Sequence, residues 1–93
     1  GELPPDWDAA IPVFPAGEKK LATRAASGKV LNALAGRVPT LLGGSADLGP
    51  SNKTLLDGEA SLASPDAPGR NIHFGVREHA MGAVVNGMAL HGG

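Results

Sequence analysis

Hydrophobic and polar positions along this chain fall into an irregular opening, a helical stripe, two short apolar runs and a second helical stripe. Residues 1–20 show no period: Pro4, Pro5, Pro12 and Pro15 punctuate them around Asp6, Trp7 and Asp8. Proline fixes φ and disfavours the helical region for the residue before it. The stretch is therefore expected to be an extended, turn-broken linker or arm crossing a surface, with Trp7 as its anchor. From residue 21 to 35 the spacing becomes helical, with Ala22, Ala26, Val30 and Leu34 on one stripe and Leu31 beside it. Thr23 is a candidate N-cap, Gly28 weakens the middle, and Gly36 followed by Pro39 ends the helix.

Residues 38–42 are a short apolar run that opens into Gly43, Gly44, Ser45, Ala46, Asp47 and Leu48. This is the pattern of a buried parallel strand leaving its sheet through a glycine-rich loop. The paired glycines permit positive φ or close backbone approach, where a ligand or a neighbouring chain comes near. Residues 55–68 are polar and turn-rich, expected as a surface excursion. Strand character returns at 71–76, and 77–91 read as a closing helix with Met81, Val84, Val85 and Met88 on its core-facing stripe. Gly82, Ala83, Gly87 and Ala89 leave another face small enough to pack against a second helix or a dimer mate. The fold class expected is α/β with a parallel sheet.

This layout puts Glu78 at a helix start on the rim of a sheet, where α/β proteins keep their chemistry. The same residue also serves as an ordinary first-turn acid complementing the helix dipole, and the pattern alone leaves both readings open. Arg24 stands in the first turn of its helix, the wrong end for a cation, which points either to a partner anion or to a solvated or salt-bridged side chain. Asp47 and Ser51 project from the carboxyl end of the first strand, or else serve the local backbone hydrogen bonds of a turn. The loop lacks the P-loop pattern, and Lys53 is not placed to replace its lysine. His73, His79 and His91 have no metal-binding spacing, so no metal site is expected here. His73 and His79 are either site-adjacent hydrogen-bonding groups or ordinary structural histidines.

Composition narrows the picture further. Two Phe, one Trp and no Tyr stand against 14 Gly and 8 Pro in 93 residues, too little bulk for a self-sufficient core. The absence of Cys removes disulfides and thiolate metal sites. A piece of a larger domain is the expectation. A net charge of −1 with dispersed Lys and Arg gives no stripe for a phosphate backbone, so nucleic acid is not an expected partner. No apolar run approaches the roughly 20 residues of a membrane span, and no signal peptide is apparent, although an upstream one would lie outside this sequence.

Three stretches together resemble the transketolase family: Ala22-Thr23-Arg24; Gly43-Gly44-Ser45-Ala46-Asp47-Leu48 with Ser51-Asn52; and Phe74-Gly75-Val76-Arg77-Glu78-His79-Ala80-Met81-Gly82-Ala83 with Asn86-Gly87. They are similar to the start of its central pyrimidine-binding domain, and the arm from Leu3-Pro4 through Trp7 to Pro12 resembles the linker leading into it. The resemblance implies residues 1–20 as an inter-domain arm and 21–93 as the N-terminal part of a thiamine diphosphate-binding, parallel-sheet α/β domain.

It also implies that Glu78 is the catalytic carboxylate that hydrogen-bonds the aminopyrimidine of thiamine diphosphate and controls its tautomer. By the same resemblance Arg24 and Ser51 bind the phosphate of a sugar substrate, and Asp47 lies near the thiazolium at a subunit interface. The family binds the diphosphate and its Mg²⁺ or Ca²⁺ through a Gly-Asp-Gly motif in the preceding domain. Nothing here matches that motif, since Asp57-Gly58-Glu59 lacks its context. The aromatic residues that clamp the pyrimidine would follow Gly93. The implied protein is a cytoplasmic homodimer acting on sugar phosphates, with its active site at the subunit interface. Dihydroxyacetone synthase, deoxyxylulose phosphate synthase and a non-catalytic remnant or assembly subunit are the alternatives.

Ordering a chain costs roughly 1.5 kcal/mol per residue, and three aromatic residues offset little of that. Residues 1–93 expressed alone are expected to show neither a cooperative thermal transition nor calorimetric binding of thiamine diphosphate. A cooperative melt together with micromolar binding would refute this.

Overall fold

The described residues form three helices and a two-stranded sheet, in the order α1 (Thr23–Ala35), β1 (Gly43–Ser45), α2 (Gly49–Asn52), β2 (Asn71–His73) and α3 (Glu78–His91). The computed structural model describes residues 2–17 and 19–92. Gly1, Glu18 and Gly93, which the expected arm and domain include, lie outside the described residues. Residues 5–10 are turns, closed by Ala9 N–H donating to Asp6 O and Ile11 N–H donating to Asp8 O. Trp7, Pro4 and Pro12 are half-buried there, and the rest of the described arm is exposed.

Helix α1 starts one residue earlier than a Thr23 cap requires. Ala22 is the N-cap, at φ −65° and ψ 140° and without a side-chain hydrogen bond, so Thr23 is already helical. The expected apolar stripe is only partly covered, with Ala26, Val30, Leu31 and Leu34 half-buried and Ala22 exposed. The buried positions are instead Gly28 and Ala35. A Cβ on Gly28 would stand 2.8 Å from Lys53 Cβ and 3.0 Å from Lys53 O. Gly28 is thus less a weak point in the helix than the groove that receives the end of α2.

β1 and β2 run parallel, with Gly43 opposite Asn71, Gly44 opposite Ile72 and Ser45 opposite His73. The strand expected at 38–42 lies instead at Gly43–Ser45. Pro39 has no N–H for a ladder, Leu41 N–H donates to Val38 O in a turn, and the Val38 and Leu41 carbonyls are taken by Arg70. At Gly44 a Cβ would overlap the Ile72 carbonyl, so the close approach allowed by the paired glycines is to the chain's own second strand. The second strand is shorter than 71–76, because Gly75 turns the chain at φ 66°.

Residues 55–68 are more than an excursion. Ala60 O accepts from Arg70 and Asn71 N–H, and Leu62 N–H donates to Asn71 O, so residues 60–62 run along the edge of β2 away from β1. Gly69 makes this possible, since a Cβ there would overlap the Ser61 and Ala60 backbone.

Side-chain hydrogen bonds to backbone do most of the joining. The Arg70 guanidinium donates from Nε to Leu41 O at 2.7 Å and from Nη2 to Ala35 O and Val38 O at 3.0 and 2.8 Å. Its Nη1 meets Glu59 Oε1 at 2.8 Å. Asn71 Oδ1 accepts from Leu56 N–H at 2.7 Å, while Nδ2 donates to Leu56 O and Glu59 O, each at 3.0 Å. Asn32 holds the same loop from α1, donating to Leu55 O at 3.1 Å and accepting from Asp57 N–H at 2.7 Å.

Among the described residues the buried hydrophobic side chains are Ala35 and Leu56, and the buried polar one is Asn71. The radius of gyration, 14.4 Å, exceeds the roughly 12 Å of a compact domain of this length. Among the described residues the α3 stripe does not face a core: Met81 is half-buried, but Val84, Val85 and Met88 are exposed, Val85 at 50%. Met81, Val85 and Met88, with Phe74 and Leu42, border a hollow of about 490 Å³ between the helix and the sheet.

Removing the Asn71 amide would leave Leu56 N–H buried without an acceptor. Asn71→Ala is expected to cost about 2–3 kcal/mol in chemical denaturation of the protein carrying these residues, whereas exposed Asn52→Ala would cost less than half as much.

Candidate functional site

The carboxyl ends of β1 and β2 open onto a small polar cavity of about 150 Å³. Ser45, Asp47, His73, Gly75 and Arg77 are among its lining residues. Asp47 follows β1 at φ 93°, a left-handed conformation that costs a residue with a Cβ on the order of 1–2 kcal/mol. Its carboxylate is exposed. Beyond it, α2 is a single turn that starts with Pro50 near its N-terminus and ends on Lys53 at φ 60°. Asn52 Nδ2 donates to Ser45 Oγ at 2.9 Å, which ties that turn back to the end of β1. Ser51 lies on it, exposed.

β2 ends with His73, whose Nε2 is 2.9 Å from Ser61 Oγ, and the chain then turns at Gly75 into α3. Glu78 is the first residue of that helix, on the rim of the sheet and exposed. Among the described residues no side chain donates a hydrogen bond to its carboxylate, and it forms no ion pair. His79 follows it, also exposed, and His91 occupies the last turn, where a cation suits the dipole.

Arg24 is exposed in the first turn of α1 and has no ion pair among the described residues. A partner anion among the described residues therefore does not explain its place. Gly28, one turn further along the same face, is the position against which Lys53 packs. The end of α2 that carries Ser51 is thereby brought to the face of α1 that carries Arg24.

The family description that matches the chain is transketolase, pyrimidine binding domain, over residues 19–93. The chain belongs to this family.

The transketolase of Halalkalibacterium halodurans is 60% identical over 93 residues, and that of Bacillus subtilis 56%, each match covering 100% of this chain and 14% of the relative. A transketolase variant from Pichia stipitis superposes with a TM-score of 0.87 at 45% identity, over 96% of this chain and 14% of that one. Transketolase from Leishmania mexicana gives 0.82 at 45% identity, over 92% and 13%. The chain thus spans about one-seventh of the length of these relatives, and its fold is that of the transketolase pyrimidine-binding domain, α/β with a parallel sheet.

Within this transketolase domain the four predicted site residues fall into two groups. Asp47 and Glu78 both stand at the carboxyl rim of the sheet, although only Asp47 lines the small cavity. Arg24 and Ser51 belong to the α1 and α2 side, and neither lines it. No group of three or more His, Asp or Glu side chains among the described residues is placed to hold a metal ion, and no helix is long and apolar enough to cross a membrane.

Sequence reasoning missed the framework around the site. Arg70 and Asn71 sit side by side at the start of a short strand, and that polar pair in an apolar context was the available signal for a capping and pinning role. Arg77, the N-cap of α3, was grouped with the Glu-His motif but given no task of its own.

Proposed function

We propose that this chain supplies the pyrimidine half of the active site of a transketolase, which moves a two-carbon ketol unit from a ketose phosphate to an aldose phosphate. The observation that carries the reading is Glu78: a first-turn carboxylate on the carboxyl rim of a parallel sheet, exposed and without a side-chain partner among the described residues. A carboxylate so placed is free to accept a hydrogen bond from a ring nitrogen.

The residues present fit an aminopyrimidine better than a diphosphate. Glu78 offers an acceptor at the start of the helix whose Met81, Val85 and Met88, with Phe74, border an apolar hollow, and such a hollow suits the face of a heteroaromatic ring. Gathered carboxylates that would hold a divalent cation have no counterpart among the described residues. In this reading Mg²⁺ or Ca²⁺ and the diphosphate belong to another domain. Thiamine diphosphate, when bound, supplies the electron sink for carbon–carbon bond cleavage and formation. Glu78 would hold the pyrimidine by its ring nitrogen and select its protonation pattern, and Asp47 would offer a carboxylate toward the cationic ring.

Arg24 and Ser51 form the sugar-phosphate contact in this reading. A guanidinium with two parallel donors and a hydroxyl beside it suit a phosphate monoester. Related transketolase structures from Pichia stipitis hold xylulose-5-phosphate, sedoheptulose-7-phosphate and fructose-6-phosphate. Residues 1–20 serve as the arm into the domain that begins at residue 21. The uncovered α3 face, with its small residues, meets a second subunit in a cytoplasmic homodimer.

In the complete enzyme Glu78→Gln is expected to lower kcat by roughly 10²–10⁴ with saturating cofactor while leaving the thermal melt in place. Near-normal kcat would remove Glu78 from the mechanism. Arg24→Ala should raise KM for phosphorylated sugars about 10- to 100-fold, with a much smaller effect on an unphosphorylated donor. Equal effects on both substrates would make Arg24 structural.

A further inference from the structure

Helix α3 begins without a side-chain cap of the kind Ser, Thr, Asp or Asn provides. Its N-cap is Arg77, a cation at the end of the helix where the dipole disfavours one. Three hydrogen bonds nevertheless fix this residue. Its N–H donates to Gly75 O at 2.8 Å, its carbonyl accepts from Met81 N–H at 2.8 Å, and its Nη1 donates to Phe74 O at 2.9 Å.

The guanidinium folds back over Gly75. A Cβ at that position would overlap Arg77 Nη1, and the backbone there is at φ 66°. Glycine at 75 therefore meets two needs at once: the left-handed turn out of β2 and the space for the side chain that closes it. Among the described residues no charge pairing holds Arg77. Asp47 lines the same small cavity, yet the two form no ion pair. The donor geometry toward the Phe74 carbonyl is what the fold uses.

We propose that Arg77 is a positioning residue for Glu78. By bonding back to the last carbonyl before the turn, it fixes the direction in which α3 leaves β2, and so where the adjoining first-turn carboxylate stands. The inference rests on the reading of Glu78 as the pyrimidine contact. Displacements of about 1 Å at such a contact cost up to 10²-fold in rate, so a clamp one residue away has leverage.

The test uses the full-length holoenzyme, with hydrogen–deuterium exchange at C2 of bound thiamine diphosphate followed by NMR alongside steady-state kinetics and thermal unfolding. Arg77→Ala is expected to slow C2 exchange and lower kcat by about tenfold. KM for the sugar phosphate and the melting temperature should not move, and Arg77→Lys, which keeps one donor on a long stem, should recover part of the loss. Exchange within twofold of the unsubstituted enzyme would overturn the proposal, as would a loss of melting temperature that accounts for the lost activity. Should Arg77→Ala not fold, Arg77→Lys is read against the same two criteria. Glu78→Gln, run in parallel, separates the two ideas: unchanged exchange there removes the reading of Glu78 itself, whereas slow exchange there with normal exchange in Arg77→Ala removes only the role of Arg77.

Discussion

The hydrogen bonds of the Arg70 guanidinium are the constraint on which the remaining geometry depends. Three carbonyls, from the last turn of α1 and from the turn that follows it, converge on one side chain at the start of β2. Carbonyls at the end of a helix have no intrahelical donor, and a partly buried one left unpaired is costly. Arg70 satisfies them and in the same act fixes the distance between α1 and the sheet. Glu59, bonded to the outer edge of the guanidinium, ties in the long loop as well. With Ala35 and Leu56 as the buried hydrophobic side chains, directional polar contacts take over the work that apolar burial does in a thicker domain.

Asn71 and Asn32 extend the same scheme. Each offers an amide to backbone groups of residues 55–59, one from β2 and one from α1, so that loop is bracketed from two elements. The result is a frame in which the sheet's carboxyl rim is defined although the described residues give the sheet two strands. Asp47, α2 and the start of α3 take their places from that rim. The strained φ at Asp47 persists because β1 and the Ser45–Asn52 bond hold the chain on either side of it.

Much of this was legible in the residues. The long helices announced themselves through spacing at 21–35 and 77–91, and the Arg77-Glu78-His79 run marked the start of the second. The candidate site residues were named through motif resemblance, since a first-turn glutamate carries no signal of its own beyond the dipole. What escaped was of two kinds. The first strand shifted from 38–42 to Gly43–Ser45 because apolar character identifies a strand only when its backbone groups are free to pair, and here a distant arginine claims them. The α3 stripe was read correctly as apolar, but periodicity states only that a face seeks cover, not that the cover lies within the same stretch of chain.

The pins have an unequal bearing on how far this stretch can drift in sequence. At Ala35, Val38, Leu41 and Leu56, Arg70 and Asn71 read main-chain oxygens, which every amino acid presents alike. Those positions are free to exchange side chains without loosening the bonds that run through them, within whatever their own packing allows. Arg70, Asn71 and Asn32 have no such latitude, because the donor and its reach reside in the side chain. Gly44 and Gly69 stand with them, since any substituent there meets backbone. Drift along this segment is thus channelled to the accepting half of each bond, and the giving half stays fixed.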